Sequence, residues 1–347
     1  MPYRFKIDEP VEKGFHRIAR EQLDAALQEL AAPEVNAKAV HECRKSLKRL
    51  RALVRLVAPA LGKKAARRRI KALGAVAQLL ADRRDQAVIM ETAASLSSET
   101  GTDGSLTLAP LKTHFAKSVG DAVQPLDPVC ALEARQLLAL ELKKFDGARL
   151  RERGFAAFDG GLEKSYRRAR KALREAYGEP SDETFHALRK SVQWHWRQMS
   201  LLARAWPEEA AVRVNAAREL SQMLGDDHDL AMLINTTAKA DDISPEHKEA
   251  IIGLCIRKQQ ALRAAAEHPA EQLFAEPTAA FVKRMRAYWK HGRKTPDLGK
   301  RPVARQEALQ FQPALTESSV LEAIKRATAK PRPAAKAATA KSSQSRT

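Results

Sequence analysis

Two short stretches of the sequence place a histidine, an arginine and a lysine at helical spacing. Residues 41–45 are His-Glu-Cys-Arg-Lys, and residues 186–190 are His-Ala-Leu-Arg-Lys. Side chains three or four positions apart share a helix face, so each stretch would present its three basic groups together. Arginine offers phosphate a planar two-pronged donor and lysine an adaptable point charge, so the combination indicates anion binding.

A second pair of similar stretches follows these two motifs. Residues 79–85 are Leu-Leu-Ala-Asp-Arg-Arg-Asp, and residues 223–229 are Met-Leu-Gly-Asp-Asp-His-Asp. Both pairs are separated by about 145 residues, and ordered markers at nearly constant separation indicate an internal duplication.

The first motif predicts a helix with two different faces. At about 100° per residue, one arc of that helix is basic. Its members are His41, Arg44, Lys45, Lys48, Arg51 and Arg55. The opposite arc is apolar and contains Cys43, Leu47, Leu50, Val54 and Val57. Neighbouring cations repel one another at this spacing, so the basic arc favours a multivalent anion as its ligand.

The second motif predicts a similar but weaker basic arc. Its members are His186, Arg189, Lys190, Arg197 and Arg204. Gln193 stands where the first copy has Lys48, and Trp194 and Trp196 replace two arginines. Further basic clusters are Lys164, Arg167, Arg168, Arg170, Lys171 and Arg174, and Arg67, Arg68, Arg69 and Lys71. A solvated helix face is the ordinary interpretation of such residues, but the repeated motif and the scarcity of carboxylates favour a binding face.

The aspartates and the single histidine of the second element allow two interpretations. They are Asp82, Asp85, Asp226, Asp227, His228 and Asp229, and such a set could ligate a metal or pair with the surplus cations. The first copy has Arg84 where the second has His228, so we expect ion pairing and no metal or other cofactor. The sequence contains no phosphate-binding glycine loop, nucleophile elbow or CxxC pair, and we expect a protein that is not an enzyme.

Composition limits the class of protein. The 347 residues include 61 Lys and Arg against 42 Asp and Glu, a formal charge of +19 that predicts attraction to polyanions. Aromatic residues make up only 5%, which favours helices over sheets. Three scattered cysteines imply no disulfide framework, and the N-terminal residues lack the apolar run of a secretory signal. We therefore expect a reduced, cytoplasmic protein that does not enter a membrane.

Periodicity and breakers divide the chain into helices. They are predicted near 10–31, 36–58, 63–98, 107–123, 127–147, 154–177, 181–205, 207–240, 245–267 and 270–292. Residues 294–347 predict a basic, largely disordered tail with one short helix near 316–328, because little apolar surface is available there.

The duplicated motif and its acidic partner resemble the CHAD domain, the conserved histidine α-helical domain. Residues 11–19, Val-Glu-Lys-Gly-Phe-His-Arg-Ile-Ala, also resemble the first helix of that family. The resemblance covers residues 8–293. It implies one all-α domain made of two pseudo-symmetric halves that resemble four-helix bundles, about 8–150 and 151–293, with a basic central groove.

The resemblance also implies a ligand, because CHAD domains bind inorganic polyphosphate and some associate with polyphosphate or polyhydroxyalkanoate granules. By position, the family's histidines are His41 and His186, and its basic ligands are Arg44, Lys45, Lys48, Arg51, Arg189, Lys190 and Arg197. To these we add Arg55, Arg67, Lys164, Arg167, Arg168 and Lys171 from the adjacent basic faces. The alternatives are a non-specific nucleic-acid binder that uses the tail and a metal-dependent phosphohydrolase.

Overall fold

The computed structural model describes residues 3–80, 82–99, 107–122 and 125–295, with the backbone alone at 82–87 and 116–122. Within these ranges the chain forms helices and no strand, which confirms the predicted all-α class. The helices up to residue 146 are α1 (Val11–Glu29), α2 (Ala37–Leu56), α3 (Ala58–Leu61), α4 (Lys63–Leu79), α5 (Asp82–Glu99), α6 (Ala109–Ala122) and α7 (Pro128–Asp146). The others are α8 (Ala156–Gly178), α9 (Asp182–Leu202), α10 (Pro207–Lys239), α11 (Pro245–Phe274) and α12 (Thr278–Lys294).

Three features differ from the predicted helices, and the first is α3 (Ala58–Leu61), most of which lies in the gap between the predicted helices 36–58 and 63–98. The helix predicted over 63–98 is two helices, α4 and α5, which meet near Leu80. The break predicted at Pro269 is wrong, because α11 continues through this proline to Phe274. A proline inside a helix removes one backbone hydrogen bond, but here Ala266, Ala270 and Leu273 are buried on both sides of it. Packing of this face therefore outweighs the local penalty.

Side-chain caps fix the starts of both motif helices. The Asn36 side chain accepts a hydrogen bond from the Ala39 amide at 2.9 Å before α2. Ser181 and Thr184 form a reciprocal capping box at the start of α9. These caps satisfy amides that the first turn leaves without partners, and so they fix where each basic face begins.

The helices pack in two sets that share a core. In the first set α1 and α4 each contact α2 and α7, and in the second α9 contacts α8 and α10 while α12 contacts α8. One continuous apolar core runs through both sets, from Phe15 and Leu50 to Phe185 and Trp289. A smaller core joins α5 and α6 to α10 and α11. The pseudo-twofold relation and the proposed halves remain predictions.

The two sets meet along a seam where α2 and α3 contact α8, and α2 also contacts α9. Gly161 of α8 lies against the backbone of α2, and a Cβ atom there would overlap the carbonyl oxygen of Leu56. Only glycine permits this approach. The seam therefore brings the motif helices of both sets close together.

The predicted tail and its short helix lie outside the described residues. Among the helices that the structure does describe, none has the length and apolar character needed to cross a bilayer.

Candidate functional site

Cations from two helices converge on a tryptophan of a third helix at the seam. The guanidinium carbon of Arg55, on α2, lies 4.2 Å from the ring centroid of Trp194 on α9. The guanidinium carbon of Arg168, on α8, lies 4.9 Å from the same centroid. Arg51 and Lys190 are close enough to interact electrostatically with these groups. We call Arg51, Arg55, Arg168 and Lys190 the seam cluster.

Within the seam cluster, Arg51 and Arg55 are half-buried, whereas Arg168 and Lys190 are exposed. Burial lowers the pKa of Arg55 to about 10, and the neighbouring charges of Arg51 and Arg168 act in the same direction. Partial desolvation also lowers the pKa of Lys190, with Arg168, Arg51 and Arg189 adding to the shift. Within the described part of the chain, none of the four forms an ion pair with a carboxylate. An anion bound here would relieve the repulsion between these cations and offset the energetic cost of their desolvation.

Beside the seam cluster, His186 of α9 stacks on His228 of α10. Their ring centroids are 4.1 Å apart at an interplanar angle of 27°. Burial lowers the pKa of both rings to about 4, and Arg189 and Lys190 contribute to each shift. The Nδ1 atom of His186 is buried and has no hydrogen-bond partner within the described residues. Both rings are therefore neutral near pH 7 in the unliganded protein.

Arg189 lies between the basic and acidic elements of the second set. Its guanidinium lies beside Gly225 of α10, and its Nε atom is buried without a hydrogen-bond partner among the described residues. Burial lowers the pKa of Arg189, while the carboxylates of Asp229 and Asp226 oppose the shift. The acidic element therefore interacts electrostatically with the motif arginine.

Arg197 is the most buried of the predicted basic ligands. Its side chain donates to the Gln193 carbonyl at 2.9 Å and lies over the Trp196 ring. Burial lowers the pKa of Arg197 to about 10. With a relative exposure of 9%, Arg197 is placed to support the neighbouring basic groups more than to meet a polymer directly.

The basic residues of the first motif are engaged differently. Arg44 donates to the Leu80 carbonyl at 2.9 Å, and so holds α2 to the end of α4. Lys45 forms an ion pair with Glu42 at 2.8 Å. His41 and Lys48 are half-buried on the same helix. These four side chains share the face that the periodicity predicts. Arg51 and Arg55, further along the same face, belong to the seam cluster.

Four other predicted ligands lie on exposed surfaces of α4 and α8. Arg67 and Lys164 are exposed. Arg167 forms an ion pair with Glu163 at 2.8 Å, and Lys171 forms one with Glu175 at 3.3 Å. Neighbouring carboxylates offset these last two charges, whereas Arg168, which adjoins Arg167 in sequence, belongs to the seam cluster.

The described carboxylates of the acidic element pair with protein groups. Asp227 is buried and accepts from Arg263 at 2.6 Å, and Asp226 accepts from Gln222 at 2.7 Å. Although burial opposes it, hydrogen bonds from Arg263 to Asp227 and Asp182 raise the pKa of Arg263. Within the described residues no three His, Cys, Asp or Glu side chains form a group that could hold a metal. The side chains of Asp82 and Asp85 lie outside that description.

Sequence reasoning missed the role of the two tryptophans of α9. Trp194 contacts Arg55 and Arg168, and Trp196 contacts Arg197 and Arg218. The available signal was their position, because helical spacing puts Trp194 and Trp196 on opposite flanks of the predicted basic arc. A tryptophan ring binds guanidinium groups over its face, so aromatic residues in a basic arc can organise cations as well as replace them.

Comparison with known protein families identifies the family to which this fold belongs. The sequence model of the CHAD domain matches residues 17–238, a segment that contains both motif helices and the whole seam cluster. The chain belongs to the CHAD domain family. Among solved structures, PptA from Streptomyces chartreusis is similar at 17% identity and a TM-score of 0.53, over 77% of this chain and 100% of that chain. That likeness shows a shared CHAD-type fold. No curated protein matches the chain significantly.

Proposed function

We propose that this CHAD protein binds inorganic polyphosphate at the seam cluster and the adjoining motif faces. The observation that carries the proposal is the seam cluster itself, in which cations from α2, α8 and α9 converge without carboxylate partners in the described part of the chain. Membership of the CHAD family supports polyphosphate as the anion. Binding, rather than catalysis, is the activity that we assign to the protein.

A linear polymer of phosphates suits the distribution of these groups. The predicted ligands follow α2 and α9 on both sides of the seam, so one chain of regularly spaced charges could contact several of them in succession. Each neutralised phosphate would release condensed counterions. By analogy with single-stranded nucleic acid, log affinity should fall with log salt at a slope of about −0.7 per phosphate contacted.

Competition binding on the full-length chain tests the proposal. Labelled long-chain polyphosphate is displaced by unlabelled polyphosphate, single-stranded DNA or double-stranded DNA of equal total charge, over a series of salt concentrations. We expect polyphosphate to be the strongest competitor, because the seam cluster offers hydrogen-bond donors to phosphate but no open aromatic surface on which bases could stack. Equal competition by DNA at every salt concentration would contradict the proposal.

A non-specific nucleic-acid binder is the second candidate, favoured by the net charge of +19 and the basic composition of residues 323–347. A full-length variant in which the Lys and Arg residues after 299 are replaced by Gln separates the two. If polyphosphate binding persists in that variant, the helical domain holds the site. If binding is lost there and DNA competes equally, the tail is the binding element.

Phosphate release by the same full-length protein tests the remaining alternative, the metal-dependent phosphohydrolase. Mg²⁺, Mn²⁺, Fe²⁺ or Zn²⁺ is added with polyphosphate, and free phosphate is measured over time. We expect no release above the protein-free control. Association with polyphosphate or polyhydroxyalkanoate granules is the cellular consequence that we propose, and co-sedimentation of the protein with isolated granules tests it.

A further inference from the structure

Trp194 occupies an unusual place for a tryptophan in a helical domain. Its ring contacts the guanidinium groups of Arg55 and Arg168, which come from different helices on the two sides of the seam. Trp196 packs against the main apolar core, whereas Trp194 is absent from the described residues that do so. The Trp194 ring is therefore characterised by its contacts with cations and not by packing in the main apolar core.

The two arginines over Trp194 repel each other. The charge of Arg168 contributes to the lowered pKa of Arg55, after burial and the charge of Arg51. Among the described residues, the Arg55 side chain makes one hydrogen bond, from its Nη1 atom to the Arg51 carbonyl at 3.3 Å. The negative face of the indole ring attracts both guanidinium groups and so offsets part of their repulsion. The ring keeps two like charges together where a flexible surface would let them separate.

We propose that Trp194 is a positioning residue that holds Arg55 and Arg168 across the seam, so that cations from both helix sets contact the same segment of polyphosphate. This inference rests on the proposed function and adds a specificity element to it. A nucleobase that stacked on Trp194 would compete with the two guanidinium groups, so the same arrangement disfavours polyanions that bind through base stacking.

Substitution of Trp194 tests this role. In Trp194→Leu the ring is lost, and we expect roughly a tenfold loss of polyphosphate affinity, the size of two cation–π contacts. The salt slope should become shallower by about 0.7, the contribution of one phosphate contact. Trp194→Phe retains an aromatic face and should recover most of the affinity and slope. Trp206→Leu is the matched control, because Trp206 is exposed and contacts Tyr288 outside the seam.

A double-mutant cycle separates positioning from a general loss of structure. Arg168→Gln should cost less affinity in the Trp194→Leu background than in the wild type, because the arginine is then already misplaced. If Trp194→Leu fails to fold, Trp194→Met serves in the cycle as a flexible apolar side chain without a ring.

Two outcomes overturn the inference. One is unchanged affinity and salt slope in Trp194→Leu, and the other is full additivity with Arg168→Gln. Both leave polyphosphate binding by the wild type intact. Absence of binding by the wild type would instead overturn the proposed function itself.

Discussion

The two copies of the histidine motif have the same residues at three positions and different electrostatic surroundings. In α2, Lys45 is neutralised by Glu42 and Arg44 is bound to the Leu80 carbonyl. In α9, alanine stands at the position that corresponds to Glu42, and Lys190 faces only cations among the groups that shift its pKa. A repeated motif therefore fixes which residue types share a face, while the residues between them decide how much charge remains available.

The comparison changes our expectation for the second copy. Its two tryptophans replace arginines of the first copy, and by residue type alone this predicts weaker binding. In the fold, Trp194 gathers Arg55 and Arg168 from other helices. We now expect the seam beside α9 to contribute more to binding than the N-terminal turns of α2.

The largest effect is expected when the seam cluster loses three charges. The variant Arg51→Gln, Arg168→Gln, Lys190→Gln should bind polyphosphate roughly 100-fold more weakly, from three contacts of about 1 kcal/mol each. Titration of labelled polyphosphate at low salt measures the loss. The matched control is Arg20→Gln, Arg149→Gln, Arg286→Gln, which removes the same charge from exposed arginines that pair with carboxylates elsewhere. Equal losses in both variants would mean that total charge, not the seam, determines affinity.

The next effect concerns the backbone contact that closes the seam. Gly161→Ala should lower the free energy of unfolding by about 3 kcal/mol, because the new methyl group overlaps the Leu56 carbonyl and α8 must move away from α2. Denaturant unfolding measures the change. Gly74→Ala is the control, since a Cβ atom there meets no heavy atom within 4 Å and alanine favours the helix. A Gly161→Ala protein as stable as the wild type would show that the seam tolerates separation.

The motif lysines provide the direct comparison of the two copies. Lys190→Gln should reduce polyphosphate affinity roughly fivefold, and Lys45→Gln should reduce it less, because Glu42 already offsets the charge of Lys45. Glu42→Gln should then increase the affinity, since it releases Lys45 for the ligand. Competition titrations at one low salt concentration are sufficient to rank the three variants. A greater loss in Lys45→Gln than in Lys190→Gln would reverse the assignment.

The sequence predicted the helical class and the residue types along each basic face, because these depend on local spacing. It could not predict that Arg51 and Arg55 of one motif helix meet Arg168 and Lys190, since long-range packing through Gly161 makes that contact. It also placed the α11 break at Pro269, where burial of the surrounding face overrides local propensity. The residue types indicate the chemistry of the site. The tertiary contacts determine which of its basic residues lack a carboxylate partner among the described residues.

The smallest expected effect is a dependence of affinity on pH through His186 and His228. Their pKa of about 4 in the folded protein lies below the ordinary value of 6.5, so the unfolded chain takes up protons first as the pH falls. The stability linked to these rings is therefore complete above pH 6.5 and is lost progressively between pH 6.5 and 4. A bound polyanion favours the protonated rings and raises their pKa, so affinity should increase roughly threefold between pH 7 and pH 5. The double variant His186→Gln, His228→Gln should flatten that profile, while His268→Gln on the exposed surface of α11 should leave it unchanged. A profile that stays the same in the double variant would place the polymer away from the stacked histidines, on the α2 side of the seam.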